Sequence, residues 1–393
     1  MVDYAGARAV SRRRRRAAAA AEVVPVLRRL DWILLGTVAA SVAYGLWLIS
    51  GITHADWPND PHHYLVRQLA AAIVGTVGYL VLLFVDPGVY QRYRKVIYAG
   101  TLGVMVLVFL AGAAARGSKR WITFGSFQFQ PSEFGKLLFV LFLAAVLAER
   151  GRRVSDARSV LSVLGLALVP IGLVFLQPDF GTALVYSAAL AAVLFLAGTR
   201  WLHLALLAAV AVVTALSVLW LVPSATGRPV LKQYQQDRLT SFLHPDRNPQ
   251  GLNYNIRQSI TAVGAGGTNG RGVEGATQTK YDYLPEHATD FAFASLAEER
   301  GFLGAAALLL LYLLIVWRGL KAVTLARDAF SAIAAGGIVF AFLFQVFVNV
   351  GGTIGIAPIT GIPLQFVSVG GSAMVANLLA MGVLQSIHLR RRA

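Results

Sequence analysis

The sequence predicts an all-α polytopic membrane protein of about ten transmembrane helices, with a long extracellular loop between helices 7 and 8. Of its 393 residues, 56% are hydrophobic and only 14% are charged. The mean hydropathy is +0.62, which is too apolar for a soluble domain. The apolar residues also cluster in stretches near the length of about 20 residues that a helix needs to cross a bilayer.

Ten apolar stretches are candidates for the spans. They cover residues 30–50, 65–85, 98–115, 133–147, 160–176, 182–197, 202–222, 302–317, 333–350 and 366–387. An even number of spans places both termini on one side of the membrane. The chain contains no fixed-period repeat and no similarity between its halves, which disfavours an inverted-repeat transporter.

Lysine and arginine residues set the orientation, because cytoplasmic connections are enriched in them. Alternate connections are basic and include Arg92, Arg94, Lys95, Arg150, Arg152, Arg153, Arg158, Arg200, Arg318, Lys321 and Arg327. We therefore predict a multi-pass plasma-membrane protein with both termini in the cytoplasm. Its parts are a basic, disordered tail (1–29), a transmembrane domain (30–388) with an extracellular loop (223–300), and a basic tail (389–393).

The formal net charge of +16 does not indicate a nucleic-acid partner, since most of the excess lies in the cytoplasmic connections. The amino-terminal arginines are instead suited to contact anionic membrane lipid. The chain has no cysteine, which excludes disulfides, thiolate metal sites and cysteine nucleophiles. It also lacks the short motifs of zinc proteases and serine hydrolases.

One basic cluster breaks the topological pattern, because it falls in a connection that faces outward. It consists of Arg116, Lys119 and Arg120, followed by Trp121. Guanidinium and ammonium groups are the donors that phosphate oxygens prefer, so an anionic partner outside the membrane explains the cluster.

The helix that follows this cluster carries two more charges. Pro131 begins it, and Glu133 and Lys136 then lie three residues apart on one face. They either form a structural ion pair or belong with the basic cluster to an anion site, which is the interpretation we favour. Charges at this depth need a partner or a wet cavity.

Two carboxylates stand at helix starts on the predicted outer face. Asp179, in the motif at 177–182, either caps a helix or lines a cavity. Asp290 stands where the external segment re-enters the membrane, between aromatic neighbours Phe291 and Phe293. Partial desolvation would raise its proton affinity and suit it to general-base catalysis, although capping of the next helix is the alternative.

Other conspicuous residues have structural interpretations. Glu298, Glu299 and Arg300 are expected to form a local charge group. Two amphipathic pieces, 234–243 and 252–263, are predicted to lie over the membrane face. The glycine-rich segment 351–372 is expected to allow close helix packing.

Several motifs in this order resemble the SEDS family of RodA and FtsW, over residues 30–388. They are Arg-Gly-Ser-Lys-Arg-Trp-Ile with Phe-Gln-Pro-Ser-Glu-x-x-Lys, Gln-Pro-Asp-Phe-Gly-Thr, Gln-Ser before a glycine-rich loop, Leu-Pro-Glu-x-x-Thr-Asp-Phe, and Pro-x-Thr-Gly-Ile-Pro-Leu. Thr289 before Asp290, and Thr277 with Gln278, resemble the RodA elongation branch more than the FtsW division branch.

The resemblance implies a peptidoglycan glycosyltransferase that polymerises lipid II, the undecaprenyl-pyrophosphate-linked disaccharide peptide, on the outer face during cell elongation. It also implies a class B penicillin-binding protein as partner. Asp290 matches the essential carboxylate of the family, proposed as the base that deprotonates the acceptor sugar. The implied substrate-binding residues are Arg116, Lys119, Arg120, Trp121, Gln130, Ser132, Glu133, Lys136, Asp179, Gln258, Ser259, Glu286 and Ser372.

Gln365, Val369 and Arg300 depart from the usual family pattern. A divalent cation, Mg²⁺ or Mn²⁺, is an open possibility as cofactor, since only scattered carboxylates are present. The alternatives to an elongation polymerase are a flippase for the lipid-linked precursor, an FtsW-like division polymerase and a noncatalytic scaffold.

Overall fold

The structure is a computed structural model that describes residues 28–391, except 55, 58, 112, 116–117, 125–126, 227–237 and 239–250. Arg116 and nearly all of the predicted amphipathic piece 234–243 lie outside the described residues. In the part described, eleven helices of 15 residues or more form the frame. They are α1 (Trp32–Ile52), α2 (His63–Phe84), α3 (Arg94–Ala111), α4 (Pro131–Arg150), α5 (Ala157–Leu176), α6 (Phe180–Leu196), α7 (Trp201–Leu216), α8 (Leu252–Gly266), α9 (Ala292–Thr324), α10 (Ala329–Thr353) and α11 (Gly371–Leu389).

All of these helices except α8 coincide with the predicted spans. Seven of them (α1, α2, α4, α5, α9, α10 and α11) are long and apolar enough to cross a membrane, and α6 and α7 are shorter apolar helices. The predicted fold class, a helical protein with many membrane spans, is confirmed. The second amphipathic piece of the external segment is also a helix, α8, as predicted.

The ends of some spans differ from the prediction. Span three was expected to run to residue 115, but α3 ends at Ala111 and the chain enters a three-stranded antiparallel sheet. Its strands are Ala113–Ala115, Ser118–Phe124 and Phe127–Phe129. The strand-forming run Trp-Ile-Thr-Phe in the middle strand pairs with both neighbours, so alanines that favour a helix locally are drawn into the sheet.

Two other spans have different ends. The seventh continues beyond α7 as a π-helical turn, Ser217–Leu221, and a short helix, Val222–Thr226. The eighth begins at Phe302 as predicted, because α9 is interrupted at Gly301, where φ is 66° and the backbone is not helical; residues 292–300 form a separate helical segment before it. The tenth begins at Gly371 instead of 366, because residues before it turn back to pack on the loop that carries Asp290. The remaining short helices are Pro87–Arg92, a 3-10 turn Gly151–Ser155, Gly272–Gly275 and Thr277–Lys280.

The centre of the bundle is formed by α4 and α11, most of whose residues are buried. A Cβ atom at Gly382 of α11 would lie 2.9 Å from backbone atoms of Tyr79 on α2, so only glycine permits this close crossing. In contrast, α7 has no buried residue and lies at the periphery.

Buried Glu298 organises the external segment from within α9. Its carboxylate accepts hydrogen bonds from the amides of Gln278 and Thr279, at 2.8 and 3.0 Å, and from the Thr279 hydroxyl at 2.8 Å.

The Arg300 guanidinium lies 4.1 Å from the ring centroid of Trp47 and 3.9 Å from the Glu299 carboxylate. The predicted structural charge group is therefore present.

A buried ion pair joins three helices at the end of the bundle where α1 begins. Arg318 of α9 holds the Asp31 carboxylate with Nε at 2.8 Å and Nη2 at 2.7 Å. Asp31 also caps α1 through the Leu34 amide at 3.1 Å, and its carboxylate lies 3.6 Å from His388 of α11. Both members of the pair are at least nine-tenths buried. Loss of either side chain would therefore leave the charge of the other buried without a counter-charge.

We expect Asp31→Asn to lower the free energy of unfolding by about 3 kcal/mol or more, because it leaves a buried guanidinium without its counter-charge. The thermal midpoint of the purified protein in detergent micelles measures the loss. Asp86→Asn, which changes a half-exposed carboxylate at the same end, should cost less than about 1 kcal/mol. A double variant Asp31→Asn/Arg318→Met as unstable as the single one would contradict this account.

His287 contacts both the loop between α1 and α2 and the external segment. His287 Nε2 lies 3.2 Å from Asp56, and Nδ1 lies 3.5 Å from Asp282. Burial acts to lower the pKa of His287, but the two carboxylates outweigh it and the pKa is raised above 6.5. The protonated ring is therefore the form that holds this contact.

The His287 contact predicts a pH dependence. A pKa that is higher in the folded than in the unfolded protein gives stabilisation that is complete below about pH 6.5 and is lost as the pH rises through the raised pKa. We expect amide exchange around Asp56, corrected for intrinsic rates, to increase over that interval. In His287→Gln the increase should be absent, and an unchanged pH profile in that variant would show that another group controls the loop.

Candidate functional site

A buried polar cluster lies where α4 and α6 begin, with Asp179 at its centre. Gln130 Nε2 donates to Asp179 Oδ2 at 2.8 Å, and the Ser132 hydroxyl donates to the same oxygen at 3.2 Å. Asp179 Oδ1 accepts from the Thr182 amide at 3.4 Å and so caps α6. The capping interpretation of Asp179 is therefore confirmed, while its second oxygen binds Gln130 and Ser132. The cavity-lining interpretation stays a prediction.

Arg120 approaches the same carboxylate from the sheet. Its Nη1 lies 3.5 Å from Asp179 Oδ1, and its guanidinium carbon lies 5.9 Å from the ring centroid of half-buried Trp121. The buried Nε of Arg120 has no hydrogen-bond partner among the described residues. Lys119 is the preceding residue of the strand and pairs with Ala114, but its side chain lies outside what is described.

The ion pair that the spacing of Glu133 and Lys136 offered as one alternative is formed, with 2.8 Å between Nζ and Oε2. The favoured anion site stays a prediction. Both side chains are buried, and Lys136 also donates to Gln345 of α10 at 3.0 Å. Glu133 Oε1 has no partner among the described residues. A small cavity of about 40 Å³ adjoins all three side chains. A buried oxygen without a donor next to a cavity is suited to receive one from a ligand or water.

Helix α10 connects this cluster to the loop at 360–363. Gln345 Nε2 donates to the carbonyl of Pro363 at 3.0 Å. One turn later, Asn349 Nδ2 donates to the carbonyls of Ile362 and Asp290, at 2.8 and 3.1 Å. The same face of α10 therefore positions Lys136 and the backbone of Asp290.

Asp290 is partly buried in a cleft that is also lined by Thr353, Thr360 and Gly361. Helix α9 begins two residues after Asp290, with Phe291 as its cap residue and no side-chain hydrogen bond from Phe291. At Gly361 φ is 70°, and a Cβ there would lie 3.4 Å from Asp290 Oδ2 and 2.9 Å from Arg238 Nη2. The glycine thus lets both charged groups approach one stretch of backbone.

Three residues of this site were not predicted. Arg238, whose guanidinium donates to the carbonyl of Thr360, gives no local signal, since its neighbours across the cleft are distant in sequence. Gln345 and Asn349 did have a signal in the local sequence. Two amides four residues apart within an apolar span share a helical face, and polar groups in spans are usually functional or bonded to one another.

The remaining predicted residues support the loops around the site. Buried Ser259 donates to the carbonyl of Thr353 at 2.7 Å, and Gln258 beside it on α8 is half-buried. Glu286 accepts from the Thr289 hydroxyl at 2.8 Å within the turn before Asp290. Ser372 Oγ accepts from the Gln130 amide at 3.0 Å and ties α11 to the start of α4.

The two parts of the site meet across the 360–363 loop. A Cβ at Gly181, in the first turn of α6, would lie 2.6 Å from the carbonyl oxygen of Thr360. The Asp179 cluster therefore packs on one side of the loop, while Asp290 lies by Gly361 on the other. Arg120, Lys136 and Asp290 belong to one end of the bundle.

The donor set does not fit a metal held by the protein alone. Over the described ranges, no group of three or more histidine or carboxylate side chains is arranged to hold an ion. Glu133 is paired with an ammonium group, and Arg238 lies against the same glycine as Asp290.

Known proteins match this chain along most of its length. The family of cell cycle proteins FtsW, RodA and SpoVE matches residues 28–393. Stage V sporulation protein E of Bacillus subtilis is 32% identical over 93% of this chain and 96% of its own. Peptidoglycan glycosyltransferase MrdB of Escherichia coli K12 is 35% identical over 83% and 86%, and the probable peptidoglycan glycosyltransferase FtsW of Trichlorobacter lovleyi is 32% identical over 92% and 93%.

Solved structures share the fold. A chain from a peptidoglycan synthase complex, solved to describe coordination of polymerization and crosslinking, aligns with a TM-score of 0.76 and 31% identity over 91% of this chain and 97% of that one. The rod shape determining protein RodA of Thermus thermophilus aligns with a TM-score of 0.68 and 28% identity, over 93% and 98%. The family match and these relatives show that this membrane protein belongs to the FtsW/RodA/SpoVE family, the SEDS family that its motifs predicted.

Proposed function

We propose that this chain is a peptidoglycan glycosyltransferase that polymerises lipid II at the outer face of the plasma membrane. The observation that carries the proposal is the presence of a partly buried carboxylate, Asp290, at the same end of the bundle as partly buried Arg120 and buried Lys136. Relatives named as peptidoglycan glycosyltransferases support the reaction type.

The orientation follows from the charges at the two ends of α4. Glu133 and Lys136 lie near its start, whereas Arg150 is its last residue. Arg318 and Arg390 lie at the same end as Arg150, and basic residues favour the cytoplasm. The site therefore faces outward, and both termini are cytoplasmic.

Asp290 acts as the general base. Its carboxylate takes the proton of the acceptor sugar hydroxyl while that oxygen forms a bond to the anomeric carbon of the donor. The bond between the anomeric carbon and the pyrophosphate oxygen breaks, and its electron pair leaves with the pyrophosphate. Asn349 holds the backbone of Asp290, and Gly361 leaves space at its carboxylate.

Arg120 and Lys136 stabilise the leaving pyrophosphate. Charge develops on its oxygens as the glycosidic bond breaks, and fixed cations in a partly dry site stabilise that charge without reorganisation. Asp179 orients Arg120, and the ion pair with Glu133 positions Lys136. Lys119 and Arg116 add positive charge to the same segment.

The chain serves cell elongation together with a class B penicillin-binding protein that cross-links the product. Thr289, the clue to the elongation branch, is fixed in place, because its hydroxyl donates to Glu286 and its carbonyl accepts from Ser368 at 2.5 Å. The related chain in a peptidoglycan synthase complex supports a partnership of this kind.

We expect Asp290→Asn to reduce polymerisation of purified lipid II by about 10²- to 10⁴-fold, because the amide cannot accept the proton. Glycan product is measured by gel electrophoresis, with the penicillin-binding partner present and absent. The matched control is Asp282→Asn, an exposed carboxylate in the same segment, which should retain activity within about twofold.

Polymer from a folded Asp290→Asn protein at the native rate would remove Asp290 as base. Lipid II transport by both proteins without glycan from either would instead favour the flippase, which needs only the cationic cluster. Partner binding with no activity from the native protein would favour a scaffold.

We expect Arg120→Gln to lower polymerisation by roughly tenfold or more, since it removes a charge-assisted contact to the pyrophosphate. Arg120→Lys should recover part of the activity, because it keeps the charge but loses the planar fork. Rates over a range of lipid II concentrations measure both effects. Arg271→Gln, at an exposed arginine of the external segment, is the control, and an equal loss there would assign the effect to general surface charge.

A further inference from the structure

A second polar cavity lies at the opposite end of the bundle from the candidate site. Its volume is about 630 Å³, and it lies between the end of α4, the 3-10 turn that follows, and the first residues of α5 and α7. Its lining residues are Arg150, Arg153, Ser155, Asp156, Ala157, Arg158, Ser159, Arg200 and His203. None of them takes part in the proposed reaction.

The cavity carries uncompensated positive charge. Four of its side chains are arginines and one, Asp156, is a carboxylate. In the described part of the chain, none of the four arginines forms an ion pair. Arg150 instead donates to the carbonyl of Ser159 and the hydroxyl of Ser162, both at 2.5 Å, which orders its guanidinium without neutralising it. An anion would complete this arrangement.

Further donors converge on the same cavity. Nδ1 of His203 is buried and has no hydrogen-bond partner among the described residues. Both α5 and α7 begin here, and neither cap residue, Asp156 or Arg200, caps its helix with a side-chain hydrogen bond. Uncapped helix starts carry partial positive charge and free amides, which adds to the attraction of the arginines for an anion.

The surroundings indicate the source of the anion. Beside the cavity, Trp201 is 77% exposed, Leu202 74% and Leu161 65%. Such apolar side chains at the ends of spans face lipid, and tryptophan is enriched at the level of the headgroups. A phosphate bound among the arginines would therefore lie beside apolar side chains that lipid chains can cover.

We infer that this cavity binds the phosphate of an anionic phospholipid of the cytoplasmic leaflet. The arginines hold the phosphate oxygens, and the acyl chains lie along the exposed apolar faces of α5 and α7. Basic pockets between spans on the cytoplasmic side suit such headgroups. The inference rests on the orientation of the bundle and not on the chemistry at Asp290, so each can fail alone.

The test compares lipid retention by native mass spectrometry. The protein, purified in detergent, is exposed to phosphatidylglycerol and phosphatidylcholine with identical acyl chains in equal amounts. The variant Arg153→Gln/Arg158→Gln/Arg200→Gln should lower the ratio of retained phosphatidylglycerol to phosphatidylcholine by about tenfold or more. The control Arg92→Gln/Lys95→Gln/Lys321→Gln removes the same charge from exposed positions at the same end and should keep the native ratio.

A native ratio in the cavity variant, or an equal loss in the control, would overturn the site. Free phosphate is tested separately with inorganic phosphate at about 10 mM in phosphatidylcholine micelles. The thermal midpoint of the protein is measured with inorganic phosphate and, separately, with phosphatidylglycerol. If both raise it equally, and the triple arginine variant shows neither increase, the cavity binds soluble phosphate and the proposed lipid source is wrong. The single variant Arg200→Gln, with a smaller loss in the same direction, serves if the triple variant is unstable.

Discussion

The candidate functional site depends on one constraint: polar groups buried within a membrane bundle need hydrogen-bond partners from the protein. Gln345 and Asn349 of α10 each bond a carbonyl of the 360–363 loop, and each also bonds a second segment, Lys136 or the Asp290 backbone. In hydrocarbon these groups have no water to replace a lost partner. The two amides therefore hold Lys136 and the backbone of Asp290 against the same loop.

The buried charges nearly cancel within the protein itself. Arg120 lies against Asp179, and Lys136 is paired with Glu133, so these four groups have no net charge. A pyrophosphate entering here brings negative charge that the pairs do not balance. The balance must come from cations at the edge, such as Lys119, which is next to the cluster in sequence. The buried pairs orient donors, whereas the edge cations attract the ligand.

Hydropathy and loop charge predicted the spans because the bilayer imposes length and sign on each segment independently. The Glu133–Lys136 pair was predictable for a similar reason, since helical spacing alone brings the two together. The strand at Ala113–Ala115 was not predictable from the sequence, because its partner is a later strand and its alanines favour a helix locally. Arg238 escaped prediction in the same way, as its position at Thr360 is set by tertiary contacts between segments 122 residues apart.

The peripheral position of α7 suggests a structural role for a phosphate bound in the arginine cavity. With no buried residue, α7 gains little from packing on its neighbours, and in lipid no hydrophobic force presses helices together. Arg200 lies at its start, while Arg150 and Arg153 belong to α4 and the turn after it. A phosphate shared by these arginines would attach this peripheral helix to α4, one of the two central helices of the bundle. The same helix, α4, carries Lys136 at its other end, so a lipid there would steady the frame on which the outer site is built.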